Sequence, residues 1–534
     1  MHRFLAPFLL AATLAHAAAP ARPNIVVILA DDMGFSDLGC YGSELTTPHL
    51  DALAAGGLRF TQFYNSARCS PTRAALLTGL DPHQTGVGVL ANDAKPDGSS
   101  SAPADAGPGY IQHLNDRSVT LAEVLRPAGY GTYMTGKWHV GAFGTHQWPQ
   151  GRGFDRFYGV LAGTVSYFRP DAERPLIDGD KMLPPPTDPN YYTTDVFTDH
   201  ALKFLTEHDA KKPFFLYLAF NAPHYPLHAR PADIEKFTGK FRAGWDKLRE
   251  ERFARQQKLG LFDAAMKLSP RDETVRAWDK LTEEQKTQTD RRMAVYAAQI
   301  YRLDLNVGRL VAQLREKGQL DNTLIIFLSD NGASNEPGPD LGGGDFANIN
   351  HPDKRGQGGK KGSTYGAGWA NLSNTPFRRF KSMLHEGGIS APFIVHWPAG
   401  LKTKPGTLTR SPAYLTDIMP TVLEVAGAQY PANFRGQAPF ALEGKSLGPI
   451  FQTGTRPVRE WFYWEQYDNR AVRRGNWKAV QPAGSKGGWE LYDLSQDRAE
   501  QNNLAAKHPE IVKDLTTAWD RWANTHQVLP KKKP

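Results

Sequence analysis

The chain has 534 residues, of which 40% are apolar and 11% aromatic, so it can form a packed interior and is not of the disordered class. Its two cysteines exclude a disulfide scaffold, and 50 glycines with 39 prolines indicate many loops. The net charge of +8 mildly favours anionic ligands. Nucleic acid is not an expected partner, because there is no basic helix, zinc-type spacing or basic-aromatic array. The length suits one large domain and a smaller one.

The N-terminus has the pattern of a targeting segment. Arg3 precedes an apolar stretch that ends near Leu14, and small residues follow over positions 15–19. This order is typical of a secretory signal peptide, which we assign to residues 1–17. The stretch is too short to span a bilayer, and no later run of about 18 apolar residues suggests stable membrane insertion. We therefore expect an exported protein, either periplasmic or secreted.

Short apolar runs predict buried strands with both faces covered. In chain order they are Asn24 to Ala30, Gly131 to Met134, Pro213 to Phe220, Thr323 to Leu328 and Ala391 to His396. Helices are predicted from Pro48 to Ala55, with Thr47 as N-cap, and from Met293 to Lys317, where Gly318 ends the helix. This alternation predicts an α/β fold, a three-layer αβα sandwich around a large mixed, mainly parallel sheet.

The organisation changes towards the C-terminus. Residues 241–292 are charged and helical in pattern, residues 335–370 are Gly-rich and basic, and we interpret both as insertions. Beyond about Arg456, short strands are predicted at Trp461 to Trp464, Asn476 to Val480 and Glu490 to Leu494. The helix that follows places on one face Val512, Leu515, Trp519 and Trp522. We expect a large domain over residues 22–455 and a small α+β domain, built on a short antiparallel sheet, over 456–534.

Polar clusters follow four of the predicted strands. They are Asp31-Asp32, Gly136-Lys137-Trp138-His139, Asn221-Ala222-Pro223-His224 and Ser329-Asp330-Asn331-Gly332. Open α/β sheets bind ligands at the carboxyl ends of their strands, so the four clusters predict one site. The paired Asp and Asn side chains offer hard oxygen ligands, which suit Ca²⁺ or Mg²⁺ better than zinc. For any single Asp, a turn or a helix cap is the alternative.

Cys69 opens an apparently helical run, in which we expect Ser70 as the N-cap and Pro71 at the first helical position. The amides and dipole of a helix N-terminus favour an anion, and Arg73 adds positive charge one turn later. Spacing alone does not separate this interpretation from a buried structural thiol. In an oxidising compartment, Cys69 could also pair with Cys40, although a chain of this length needs no disulfide.

The run from Cys69 to Gly79, Cys-Ser-Pro-Thr-Arg-Ala-Ala-Leu-Leu-Thr-Gly, resembles the sulfatase signature, whose cysteine is converted to Cα-formylglycine. The resemblance continues in family order through Asp31 to Gly34, Thr47 to Asp51, Gly136 to His139, Ala222 to His224 and Ser329 to Gly332. It is closest to bacterial arylsulfatases, within the alkaline-phosphatase-like superfamily. It implies an exported bacterial sulfatase whose residue 69 is modified by a formylglycine-generating maturation enzyme.

The resemblance also implies roles for individual residues. A Ca²⁺ site, with Mg²⁺ less favoured, would be formed by Asp31, Asp32, Asp330, Asn331 and the modified residue 69. The sulfate group would be surrounded by Arg73, Lys137, His139, His224 and Lys381. Of these, the substrate-binding residues would be Lys137, His224 and Lys381. Lys381 lies in a stretch from Phe380 to Gly388 that resembles the family's Lys-rich segment before a Gly-Gly turn, and a solvated lysine is the alternative.

These residue types suit the hydrolysis of a sulfate monoester to an alcohol or phenol and inorganic sulfate. The ester oxygens repel a nucleophile, so the site needs concentrated positive charge from a cation and basic side chains. One hydroxyl of a hydrated aldehyde, the gem-diol form of residue 69, would attack sulfur and expel the alcohol. Deprotonation of the other hydroxyl, with His139 as the expected base, would then release sulfate. His224 or Lys381 would protonate the leaving alcohol.

Two other functions are compatible with the sequence. One is phosphonate or phosphodiester hydrolysis on the same scaffold, and the other is non-catalytic binding of sulfated polymers through the basic loop 354–361. In the sulfatase interpretation the partner is a small-molecule or saccharide sulfate ester of aryl, sugar or alkyl type. Its specificity would lie in residues 150–200, 241–292 and 335–370.

Overall fold

The structure, a computed structural model, describes residues 22–92, 107–336, 340–343, 363–457 and 459–529. The predicted signal peptide at 1–17 and the basic loop 354–361 lie outside the described residues. Within the described residues, every helix is too short or too polar to cross a membrane.

Two sheets form the framework of the protein. The large sheet contains β1 (Asn24–Ala30), β2 (Leu58–Tyr64), β3 (Gly131–Lys137), β4 (Arg156–Val160), β5 (Leu176–Asp178), β6 (Lys181–Met182), β7 (Phe214–Ala219), β8 (Thr323–Ser329), β9 (Ser390–His396), β10 (Thr407–Thr409) and β11 (Ala413–Tyr414). The small sheet contains β12 (Trp461–Gln466), β13 (Asn469–Arg474), β14 (Trp477–Gln481) and β15 (Glu490–Asp493). All five strands predicted for the large sheet are present, as β1, β3, β7, β8 and β9.

The α-helices are α1 (Pro48–Ala55), α2 (Cys69–Thr78), α3 (Pro82–Thr85), α4 (Leu121–Leu125), α5 (Thr193–Thr206), α6 (Pro231–Glu235), α7 (Gly244–Lys258), α8 (Glu283–Glu316), α9 (Ala367–Ser373), α10 (Glu386–Ile389), α11 (Ile418–Ala426), α12 (Gly448–Thr453) and α13 (Pro509–Thr525). The predicted helix from Pro48 to Ala55 is confirmed as α1. The helix predicted from Met293 begins ten residues earlier, at Glu283, because Thr282 and Gln285 form a capping box there.

The large sheet is mainly parallel. Its strand order is β10-β2-β9-β8-β1-β7-β3-β4-β5-β6, and β11 pairs with β2. The central neighbours β8, β1, β7 and β3 are all parallel to one another. By contrast, β9 runs antiparallel between β2 and β8. β2, β4, β5, β6, β10 and β11 were not predicted from the sequence, but the predicted mixed, mainly parallel sheet is confirmed.

Both faces of the large sheet are covered, as the continuous apolar strands required. In β1, Val26 and Ile28 belong to the core shared with α1, α5 and α8. The alternate residues Ile25 and Val27 belong to the core shared with α2, α4, α11 and α12. Successive side chains of a strand point to opposite faces, so one short strand contributes to both cores. The predicted three-layer αβα sandwich is confirmed.

The small sheet is antiparallel and also lies between two layers. On one face, Val472 and Leu491 pack against Leu515, Trp519 and Trp522 of α13. The opposite face, with Phe462, Trp464, Ala471 and Val480, packs against Tyr64 and Tyr414 of the large sheet and against Leu384 and Ile389. The C-terminal sheet therefore contacts the segment that carries Lys381.

Candidate active site

The four polar clusters predicted from the sequence meet at one edge of the large sheet. They follow β1, β3, β7 and β8, which are adjacent and parallel, so their carboxyl ends lie side by side. Each of the ten predicted site residues is at most 5% exposed: Asp31, Asp32, Cys69, Arg73, Lys137, His139, His224, Asp330, Asn331 and Lys381.

Carboxylates and an amide form the centre of this cluster. The backbone amide of Asp32 donates to Oδ1 of Asp330 at 3.1 Å, and Nδ2 of Asn331 donates to Oδ1 of Asp32 at 2.7 Å. Asp32 has a φ of 67°, in the left-handed region that Asp tolerates better than most residues. This turn aims Asp31 and Asp32 towards the ends of the neighbouring strands.

Three basic side chains surround the carboxylates. Arg73 lies 3.5 Å from Oδ2 of Asp31 and 3.2 Å from Oδ2 of Asp330. Lys137 Nζ lies 2.7 Å from Oδ2 of Asp31. Lys381 Nζ lies 2.6 Å from Oδ1 of Asp32, so Lys381 is part of the cluster and not a solvated lysine.

A glycine allows Lys137 to reach this position. Gly136 has a φ of 105°, and a Cβ atom there would stand 1.9 Å from the carbonyl oxygen of Ala219 on β7. Only glycine fits between two strands at this separation. The strand prediction placed Gly136 and Lys137 beyond the end of the strand, but β3 continues through Lys137.

Cys69 occupies the first turn of α2, although not as the sequence predicted. The helix begins at Cys69 itself with Arg68 as N-cap, so the prediction of Ser70 as N-cap and Pro71 as first helical residue was wrong. Ser70 instead accepts a hydrogen bond at 3.0 Å from the amide of Ala91, outside the helix. Both cysteines are free, which does not support a pair between Cys40 and Cys69.

The two histidines occupy different parts of the site. His224 Nε2 lies 3.6 Å from Oδ2 of Asp32, and its Nδ1 lies 2.6 Å from the carbonyl oxygen of Tyr225. Since a carbonyl only accepts, Nδ1 is the protonated nitrogen and Nε2 faces the carboxylates. His139 Nε2 lies 3.0 Å from the carbonyl oxygen of Ala91. A Cβ at Gly163 would stand 2.6 Å from the His139 ring, so glycine there leaves room for the imidazole.

Burial and the neighbouring charges act together on the pKa values of the cluster. Burial would raise the pKa of Asp31, but Lys137, His224 and Arg73 hold it well below its usual range. For Asp330, burial and the facing carboxylate of Asp31 raise the pKa well above its ordinary value. Burial also lowers the pKa of His224 to about 4, against the attraction of Asp32. The ionised form of Asp330 is thus costly beside Asp31, and a cation bound between them would relieve the repulsion.

The oxygen atoms of the cluster fit a divalent cation. Among the described residues, buried acceptors without a hydrogen-bond donor include Asp31 Oδ1, Asp32 Oδ2 and Asn331 Oδ1. Ligand atoms of Asp31, Asp32 and His224 all lie within 4.8 Å of one another. Buried acceptors normally have partners, so three such oxygens in one place indicate a ligand with positive charge. Carboxylate and amide oxygens favour Ca²⁺ or Mg²⁺.

Arg68, Glu336 and Ser382 also border the site, and the sequence analysis missed them. Arg68 NH1 lies 2.6 Å from Oε2 of Glu336 and 2.5 Å from Oγ of Ser382. In the chain, Arg68 directly precedes Cys69, Ser382 directly follows Lys381, and Glu336 follows Asn331 by five residues. Arg68, a basic residue directly before Cys69, was the available signal in the sequence. Its partners Glu336 and Ser382 could not be predicted, because they lie hundreds of residues away.

Comparison with known proteins agrees with this geometry. The family model described as "Sulfatase" matches residues 23–428, and a second model, "N-sulphoglucosamine sulphohydrolase, C-terminal", matches residues 378–524. The chain belongs to the sulfatase family. The named relatives of this sulfatase are sulfuric ester hydrolases, and it is an enzyme of that class.

Similar proteins cover nearly the whole chain. An uncharacterized sulfatase of Schizosaccharomyces pombe is 37% identical over 93% of this chain and 93% of its own length. The arylsulfatase of Klebsiella aerogenes is 33% identical over 82% of this chain and 93% of its own. The crystal structure of Ps i-CgsB in complex with k-i-k-neocarrahexaose has a TM-score of 0.66 and 25% identity, and covers 94% of this chain and 93% of that one. Its fold agrees with the predicted alkaline-phosphatase-like architecture.

Proposed function

We propose that this sulfatase hydrolyses sulfate monoesters, aryl sulfates among them, with a formylglycine derived from Cys69 and a bound divalent cation, Ca²⁺ in preference to Mg²⁺. One observation carries the proposal. Asp31, Asp32 and Asn331 each leave one buried oxygen without a donor. The other carboxylate oxygens of Asp31 and Asp32 contact Lys137 and Lys381, and Arg73, on the same helix as Cys69, contacts Asp31 and Asp330. In this proposal residues 22–455 form the catalytic domain and residues 456–534 the C-terminal domain.

The proposed ligands of the cation are Asp31, Asp32, Asp330, Asn331 and residue 69. When bound, the cation would supply Lewis-acid charge, and the formylglycine would supply, as a hydrated aldehyde, the nucleophilic hydroxyl. Three carboxylates face three cationic side chains in the cluster, so two further positive charges would leave a surplus that suits an anionic ester.

The chain's own residues would bind the ester and move the protons. Arg73 donates to the carbonyl oxygen of Lys137 at 2.8 Å, which fixes the guanidinium between α2 and β3. Lys137 contacts the carboxylate of Asp31, and Lys381 contacts that of Asp32. The two ammonium groups would therefore bind the sulfate oxygens from two sides. His139 would accept the proton whose removal releases sulfate. Of the two candidates for protonating the leaving oxygen, His224 and Lys381, we favour Lys381, because the Nε2 of His224 that faces the carboxylates carries no proton.

The substrate would be a small-molecule or saccharide sulfate ester. The similarity to Ps i-CgsB, which was solved with a neocarrahexaose, supports the saccharide class, and the similarity to arylsulfatase supports aryl esters. The producing cell would export the protein, and a formylglycine-generating enzyme would oxidise Cys69. Both steps follow from the family resemblance of the signature around Cys69.

Mass spectrometry combined with activity tests this proposal. Protein from a host with the maturation enzyme should carry formylglycine at residue 69 and should cleave para-nitrophenyl sulfate faster than the corresponding phosphate or phosphonate. Cys69→Ala should abolish turnover. Cys40→Ala is the matched control and should retain it, because Cys40 packs against the core beside Asp51. Unmodified Cys69 with full activity, or a preference for the phosphonate, would contradict the proposal.

A further inference from the structure

The turn that carries Lys381, defined here as residues 378–386, has a backbone that needs external support. Arg379 and Ser382 have φ values of 69° and 70°, in the left-handed region. For residues with a Cβ atom this conformation is strained, and it persists only where the surroundings hold it. Lys381 lies between these two residues. The position of its ammonium group therefore depends on what holds the turn.

The large domain holds one side of the Lys381 turn. The amide of Lys381 donates to the carbonyl oxygen of Ala333 at 3.1 Å, and the amide of Ser382 donates to Ala67 at 2.8 Å. The side chain of Ser382 accepts from Arg68. These contacts attach the turn to the residues directly before Cys69 and after Asn331.

The C-terminal sheet holds the other side through individual side chains. Nδ2 of Asn469, on β13, donates to the carbonyl oxygen of Ser382 at 3.3 Å. Oε2 of Glu490, on β15, lies 2.8 Å from Nε2 of His385. Each of these side chains therefore contacts the turn within four residues of Lys381.

A buried cluster of charged side chains holds Glu386, the last residue of the turn. Its Oε1 accepts from Lys478 Nζ at 3.0 Å, its Oε2 accepts from Arg498 at 2.8 Å, and its amide donates to Glu500 at 2.7 Å. Lys478 in turn lies 2.8 Å from Oε1 of Glu500. Glu386, Lys478 and Glu500 are all fully buried.

A buried ion cluster of this kind fixes geometry more than it adds stability. Desolvation of the charges roughly offsets their attraction, whereas loss of a single partner leaves an uncompensated buried charge. The turn consequently has one strongly favoured position relative to the C-terminal sheet. The apolar residue Leu384 packs against Phe462 and Trp464 in the same interface and excludes water from it.

We propose that the C-terminal sheet is a positioning element of the active site, which sets the place of Lys381 Nζ relative to Asp32 and residue 69. The inference rests on the proposed function, in that Lys381 binds the sulfate ester. Asn469 and Glu490 are then positioning residues that act through Lys381. Displacement of a catalytic group by about 1 Å can reduce a rate by about a hundredfold, so partial release of the turn has a measurable effect.

A double-mutant cycle tests whether these residues act through Lys381. Asn469→Ala and Glu490→Ala are each made in the wild-type and in the Lys381→Ala background, and kcat and KM are measured with para-nitrophenyl sulfate. Each change should lower kcat/KM about tenfold in the wild-type background and less than about twofold in the Lys381→Ala background. Glu490→Gln, which keeps the hydrogen bond to His385, should restore most of the loss. Calorimetric titration of inorganic sulfate into the same proteins measures their sulfate affinity. The same double-mutant cycle can then be calculated from binding, without substrate turnover.

Asp514→Ala is the matched control. Asp514, on α13, pairs with Arg474 at the end of β13, and their side chains are 60% and 48% exposed. This variant should leave kcat/KM unchanged. Equal losses in both backgrounds, in turnover and in sulfate affinity, would overturn the positioning role. Failure of the wild-type enzyme to cleave any sulfate ester would instead contradict the proposed function, and the sulfate-binding cycle would still decide the positioning role.

Discussion

His83 joins helix α3 to the small sheet through ion pairs that depend on its charge. It lies in α3 and is 1% exposed. Nδ1 lies 3.0 Å from Oδ1 of Asp81, and Nε2 lies 2.8 Å from Oε2 of Glu465 on β12. Burial would lower the pKa of His83, but the hydrogen bonds to Asp81 and Glu465 outweigh it and raise the pKa from 6.5 to about 9.

The direction of the pH dependence follows from this shift. Since the pKa of His83 is higher in the folded than in the unfolded chain, proton binding stabilises the folded state. The stabilisation is complete below pH 6.5 and is lost as the pH rises through about 9. A shift from 6.5 to about 9 corresponds to about 3 kcal/mol, most of which disappears between about pH 7 and about pH 10.

Urea unfolding of the wild type and of His83→Gln at about pH 7 and about pH 10 measures this loss of stabilisation. The difference in unfolding free energy between the two proteins should shrink by about 2 to 3 kcal/mol from the lower to the higher pH. His146→Gln, at an exposed histidine, controls for the loss of an imidazole and should show no such change. A difference between wild type and His83→Gln that is the same at both pH values would refute the reasoning.

Three further predictions concern the site and the small sheet. Calcium chloride should raise the thermal unfolding midpoint of the wild type by about 2–4 °C at a hundredfold excess over Kd, EDTA should reverse this, and Asp32→Ala should lose the response. Lys137→Met should lower kcat/KM for para-nitrophenyl sulfate at least about a hundredfold, and a loss below about threefold would contradict its charge role. Trp519→Ala should destabilise the protein by about 3–5 kcal/mol in urea unfolding, because Trp519 is fully buried under the small sheet; a cost below about 1 kcal/mol would be inconsistent with that packing.

The sequence alone determined the central strands and the location of the site. The continuous apolar runs of β1, β7 and β8 need cover on both faces, and this requirement is visible within a few residues. The residues that follow such strands share one edge of a parallel sheet, so Asp31 and Asp330 could be placed together without knowledge of the strand order. The signature around Cys69 then indicated the chemistry that we propose for the site.

Tertiary structure alone decided how the site is held. Helix α2 begins at Cys69 and not after Ser70, because Ser70 bonds a distant amide at Ala91 instead of capping the helix. The contact of Arg68 with Glu336 joins residues 268 positions apart, and the contact of Asn469 with Ser382 joins residues 87 apart. Local sequence patterns carry no information about such pairs. The pair of Arg68 and Glu336 forms only when the start of α2 lies beside the segment that follows β8, and the pair of Asn469 and Ser382 only when the small sheet packs against the turn of Lys381. The energies that select such pairs come from burial, hydrogen bonding and charge pairing between distant segments.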